Sequence, residues 1–302
     1  MRLDDLQESG NVEDRRGDGG FGGGFGGGFG LPSRGGGGLG FGTMIILGLV
    51  AWVFGISPSI LIGGAEMINS TIGSRPAQQV SVPRQQPGGK PDADQQFVAR
   101  ILKSTEDVFT EQLAKQLNVR YEKPNLVMFS GATRSGCGAA QSAMGPFYCP
   151  VDRKVYLDTS FFAEMKGRLR AGGDFAYAYV IAHEVGHHVE NQLGILPKVQ
   201  EMQSRVGRKE ANALSVRVEL MADCLAGVWA HFNQDRLEPG DIEEALNAAN
   251  QIGDDKLQKA SQGYVVPDSF THGSSAQRME WFTRGYKTGQ IRTCDTFSAR
   301  NS

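Results

Sequence analysis

An excess of charge of either sign is absent from this chain. Its 31 Lys and Arg nearly balance 33 Asp and Glu, for a formal net charge of −2. Such a balance offers no basic footprint for a phosphate backbone, so no nucleic-acid partner is expected. Cysteine is scarce as well: there are 4, Cys137, Cys149, Cys224 and Cys294. No two of them form a CxxC, which excludes a zinc knuckle of that kind. The glycine-rich run "FGGGFGGGFG" (21–30) lacks a following GK[ST] and a preceding strand pattern, so it is not a phosphate-cradling loop. Histidine is rare, at 5 in 302 residues. Yet His183, His187 and His188 crowd around Glu184.

The chain divides by composition. Residues 1–42 are charged at first and then glycine-rich. Such a segment buries too little apolar surface to offset its ordering entropy, and a disordered Gly-rich tail is expected over the whole of it. Residues 43–64, "TMIILGLVAWVFGISPSILIGG", carry no charge and match the ~20 residues that a helix needs to cross a bilayer. A cleaved signal peptide fits less well. Its charged leader would be unusually long and its apolar stretch longer than a normal h-region. The reading is therefore one transmembrane helix, a single-pass anchor. Residues 65–92, rich in Ser, Pro, Gln and Gly, read as a linker, and residues 93–302 as the globular domain.

Within that domain, "DADQQFVARILKSTEDVFTEQLAKQL" has helical spacing, with Phe97, Ile101, Leu102, Val108 and Leu113 near one side. "NLVMFS" (125–130) and "KVYLD" (154–158) read as strands. Beyond 174 the pattern is mostly helical. A small sheet followed by helices is α+β.

The histidine cluster lies in "GGDFAYAYVIAHEVGHHVENQLG", which reads as one helix with Asp174 as N-cap and Gly194 as stop. His183 and His187 are then one turn apart, with a rise of ~6 Å, and share a face. Two imidazoles so placed can hold one Zn2+ ion. Glu184 stands beside them, free to take a proton from an attacking water. This is the HExxH pattern. His188 points off that face and reads as structural. A second helix, "LSVRVELMADCLAGVWAHF" (214–232), places Glu219 and Asp223 on one face, with Ala222 and Ala226 permitting close approach. Two carboxylates on an apolar face are costly to bury unless paired or metal-bound. Glu219 completes a His2Glu ligand set, and Asp223 fixes a ligand histidine's tautomer. His231, at that helix's end, reads as a partner of the helix dipole.

HExxH followed by E219-L-M-A-D223 resembles the gluzincin branch of zinc peptidases, and its ExxAD form is similar to zinc endopeptidases related to CAAX prenyl proteases. "GCGAAQSAMGPFYCP", "YVIAHEVGHHVENQLGI", "LSVRVELMADCLAGVWAH", "IEEALNAANQIGDD" and "GYVVPDSFTHGSSAQRMEWFTRGY" resemble one family more closely, the putative neutral zinc metallopeptidases. The resemblance covers about 93–297 and the anchor. It implies a zincin-like, membrane-anchored, zinc-dependent peptidase acting on peptide or protein substrates. Through "THGSSAQR" it implies that His272 donates to the oxyanion of the tetrahedral intermediate, with Arg278 supporting it or pairing with an acid. The strand "KVYLD" is expected to be the sheet edge along which a peptide adds.

The even cysteine count and wide spacing fit two disulfides and an oxidising compartment. Pairing Cys137 with Cys149 would close a short Gly-rich loop, and Cys224 with Cys294 would brace the second zinc helix. The basic residues flanking 43–64 (Arg34 before, Arg75 and Arg84 after) give no support to an N-in orientation. The cysteines and the resemblance put the domain outside, at a bacterial inner membrane with the catalytic domain in the periplasm or beyond the cell. The rival class is a membrane-tethered scaffold with a vestigial or structural zinc site. Glu184 argues against it, because a purely structural site needs no carboxylate there.

Overall fold

A computed structural model describes residues 1–17, 91–141 and 145–298. The two runs with strand patterning pair in parallel. These are β2 (Asn125–Phe129) and β6 (Lys154–Asp158), in register from Asn125 with Lys154 to Phe129 with Asp158. They form the middle of a four-stranded sheet. On the far side of β6 lies β5 (Phe147–Cys149), antiparallel to it. On the far side of β2 lies β1 (Val12–Asp14), parallel to it. A separate hairpin joins β3 (Ala132–Ser135) to β4 (Gly138–Gln141). The remainder is mostly helical, so the α+β reading holds.

Helix α1 (Ala93–Leu117) starts at Asp92, whose side chain accepts from the Gln95 amide, and stops at Asn118 in the left-handed region. Its apolar stripe, from Val98 through Ile101 and Leu102 to Phe109 and Leu113, is buried. Short α2 (Ser160–Gly167) leads to α3 (Asp174–Gln192), α4 (Ile195–Gln203) and α5 (Arg208–His231). Then come α6 (Asp241–Gln251), α7 (Asp254–Gln262) and α8 (Ser275–Thr288). Trp229, Tyr179, Phe175 and Phe282 fill the space between α3, α5 and α8 and are fully buried.

Three expectations need correction. The first is the disordered tail over 1–42: its first part belongs to the fold. Residues 1–17 hold most of the charge and most of the glycines come later, so one compositional average hid a strand. β1 is held by Leu126 N donating to Asn11 O at 2.8 Å and Arg15 N to Met128 O at 2.8 Å. The second is the N-cap of α3. Gly173 occupies it with φ 141°, and Asp174 is the first helical residue. A side chain on Gly173 would strike the Glu244 carboxylate, which accepts from the Phe175 amide at 3.1 Å and so serves the helix end from a distance. The third is the sheet edge. "KVYLD" is central, flanked on both sides, and the edge next to it is β5.

The expected anchor at 43–64 lies outside the described residues, as do the glycine-rich part of the tail and nearly all of the linker. Among the described residues no helix is long and apolar enough to cross a membrane. The cysteines form two disulfides, Cys137–Cys149 and Cys224–Cys294, which point to an extracytoplasmic domain.

Candidate metal and active site

The site is built where α3 crosses α5. Gly186 makes the crossing close. A Cβ there would sit 3.0 Å from the Ala222 carbonyl oxygen and 3.3 Å from its Cβ. This contact sets His183 and His187 against Glu219. The imidazole centroids are 4.7 Å apart. His183 Nε2 lies 3.2 Å from Glu219 Oε2, and His187 Nε2 lies 3.6 Å from Glu219 Oε1. One donor atom from each of the three residues falls within 4.8 Å of the others.

The donor chemistry suits zinc. Two imidazole nitrogens and a carboxylate converge on one point, and each histidine's other nitrogen is held by an acid. His183 Nδ1 is 2.9 Å from Asp223 Oδ1. His187 Nδ1 is 2.7 Å from Glu190 Oε2. Both rings are therefore fixed with Nε2 facing inward.

Asp223 is the hub behind the site. It is fully buried. Besides His183, it accepts from the Tyr179 hydroxyl at 2.6 Å and from Arg278 Nε and Nη2 at 2.8 and 2.9 Å. Burial by itself would raise its pKa, but Arg278 and His183 outweigh burial and bring it down to about 2. Arg278 is 2% exposed, and its pairing with Asp223 offsets the cost of burying its charge. Of the two roles expected for Arg278, the structure displays the pairing with an acid.

Arg278 gets this deep because α5 and α8 touch backbone to backbone. A Cβ on Gly285 would overlap the Cys224 carbonyl oxygen, and one on Gly227 would overlap that of Phe282. The Cys224–Cys294 bridge lies directly beside this crossing.

Glu184 is buried on the same helix as the histidines. Burial raises its pKa, against the pull of His183 and His187. Glu219 moves the other way. Burial would raise it, but His272, His187 and His183 hold it well below the carboxylate range.

His272 reaches the cluster from the loop before α8. Its Nε2 lies 3.8 Å from Glu219 Oε1, and its ring is partly exposed. Asp254 holds this loop. Its Oδ2 accepts from the backbone amides of Thr271, His272 and Gly273 at 2.7, 2.7 and 3.0 Å.

All the expected site residues thus gather in one place, apart from Cys137 and Cys149, which brace the β3–β5 region. His188 faces away, between Tyr148 OH at 3.1 Å and the Glu122 carbonyl at 2.6 Å. His231 bonds the Tyr286 carbonyl of α8 at 2.8 Å, fastening two helices together and not capping its own.

Three contributors escaped the sequence reading. Glu190 and Tyr179 had a usable signal, since they stand three residues after His187 and four before His183, where helix neighbours meet. Asp254 had none, because its partners belong to a distant loop.

Residues 1–297 match the family described as "Putative neutral zinc metallopeptidase". The chain belongs to this family. It is 50% identical over 301 residues to uncharacterized protein YpfJ of Escherichia coli K12, covering 98% of this chain and 99% of that one. It is 42% identical over 221 residues to uncharacterized protein Rv2575 of Mycobacterium tuberculosis H37Rv, covering 69% and 73%. No solved structure matches the chain. The match to this metallopeptidase family begins at residue 1, so it includes β1 as well as the helical site.

Proposed function

We propose that this member of the family is a zinc-dependent peptidase, with His183, His187 and Glu219 holding the metal. One observation carries the reading: two inward-fixed Nε2 atoms and a carboxylate converge beside a buried Glu184. Zinc bound there would polarise a peptide carbonyl and acidify water.

The chain's own residues do the rest. Glu184 takes the proton of the attacking water and delivers it to the departing amine. Its raised affinity for protons suits a group that must hold one between the two steps. His272, whose partly exposed ring lies beside Glu219, donates to the carbonyl oxygen as negative charge develops on it. Asp223 and Glu190 keep the ligand rings oriented, and Arg278 keeps Asp223 ionised.

The domain acts outside the reducing cytosol, in keeping with its two disulfides. Attachment to a membrane through the uncharged stretch 43–64 is part of this proposal, whatever the number of crossings.

The test is cleavage of an unbiased peptide mixture by the zinc-loaded full-length chain, read by mass spectrometry, with Glu184→Gln alongside. Cuts should appear only with the unsubstituted chain and vanish with a chelator. The substituted chain should keep its zinc and lose turnover by at least ~100-fold, the lower range for a general base. Equal activity in both would end this reading.

A further inference from the structure

A strand that crosses a membrane cannot also pair inside a domain left on the other side. We infer that residues 1–17 and 91–298 lie on the same side of the membrane. A single crossing between the two segments would put β1 and β2 on opposite faces of the bilayer.

Three independent sets of contacts carry the inference. First, β1 is a full member of the main sheet, with Val12, Glu13 and Asp14 in register with Leu126, Val127 and Met128. Without it, β2 would lose its partner on that side and leave its backbone groups unpaired next to the core, which is costly.

Second, a buried carboxylate requires the N-terminal segment. Glu106 on α1 is 1% exposed. Its Oε1 accepts from Ser9 Oγ at 2.6 Å and Asn11 Nδ2 at 2.7 Å. Lys123 lies 3.2 Å from its other oxygen. Removing residues 9–11 to the far side of a bilayer would strip that charge of two hydrogen-bond donors, a penalty a buried ion rarely tolerates.

Third, the points where the chain leaves and re-enters the domain are fastened together. Arg16 Nη1 lies 2.9 Å from Asp92 Oδ2, and Arg16 also binds Asp14. The same Asp92 caps α1. Residues 17 and 91 therefore open and close one excursion from one place on the domain. With the disulfides on the oxidising side, residues 1–17 belong there too.

The inference does not depend on peptidase activity, so the test needs no substrate. Asp5→Cys and Arg205→Cys are made separately in the full-length chain and expressed in its membrane. Both side chains are well exposed, at 70% and 73%. Sealed vesicles are treated with a membrane-impermeant maleimide before and after detergent. The two cysteines should show the same accessibility ratio, both open or both protected. Opposite protection of the two positions overturns it. Asp4→Cys repeats the N-terminal measurement without disturbing the Asp5–Arg236 ion pair.

Discussion

Replacing Asp223 by Ala separates what holds this domain together from what tunes the proposed zinc site. The carboxylate is fully buried and bonds His183, Tyr179 and Arg278 at once. Two routes give the magnitude in zinc-free protein. Removing one member of a buried ion pair costs ~3–5 kcal/mol, because the other charge stays buried and unpaired. The depression of Asp223 from the ordinary 3.8 to about 2 is worth roughly 2 kcal/mol by linkage. The first figure is larger because it includes stranding Arg278.

The linkage has a definite sign. A folded-state pKa below the unfolded value gives stability that is present above the unfolded value and lost as pH falls through about 2. Urea unfolding of the zinc-free chain at neutral pH should show Asp223→Ala less stable by ~3–5 kcal/mol. Its zinc affinity, measured by chelator competition in the folded state, should fall by ~10–100-fold as His183 loses its orienting acid. The double substitution Asp223→Leu with Arg278→Met should recover most of the stability, because two apolar chains replace the pair, while zinc affinity stays low. A loss below ~1 kcal/mol for Asp223→Ala, within the range of an exposed pair, would refute the argument.

Other outcomes follow from the same geometry. Glu190→Ala should lower zinc affinity by ~10–100-fold through His187, by chelator competition, and unchanged affinity would mean that His187 orients itself. Gly285→Ala forces a methyl onto the Cys224 carbonyl and should destabilise by at least ~1–3 kcal/mol as an overpacked core. An unchanged melting temperature would show that α5 and α8 can separate freely. Thiol labelling of unreduced protein should find no free cysteine, since all four are paired. Selective loss of Cys224–Cys294, which spans 70 residues, should destabilise by ~4 kcal/mol in the chain-entropy view.

Much of the candidate site was legible in the sequence because helix geometry is local. Once residues 174–192 are helical, His183 and His187 must share a face, and Glu219 and Asp223 must do the same on their helix. Gly186 and Ala222 even hinted at the crossing, since only small residues let two helix backbones meet. Glu190 was legible by the same i,i+3 rule but lay past the motif that drew the eye. The parallel pair 125–129 and 154–158 was visible as strands, yet its order in the sheet was not. A strand's apolar pattern reports that it is buried and not which neighbours bury it, so "KVYLD" passed for an edge when it is central.

The sequence by itself determined the pattern of candidate donors: an HExxH helix, an ExxxD helix, and cysteines and charges that exclude other classes. Tertiary structure alone decided where distant pieces meet. It put Arg278 against Asp223 through two glycines on different helices, and it closed the His272 loop with Asp254. It also drew residues 1–17 out of an apparent tail into the sheet. That segment is too short and too polar to show a period, and its stability comes from hydrogen bonds to β2 and to a buried glutamate more than ninety positions away. A local pattern cannot encode a partner at that distance, because the free energy that fixes it exists only once both segments are in place.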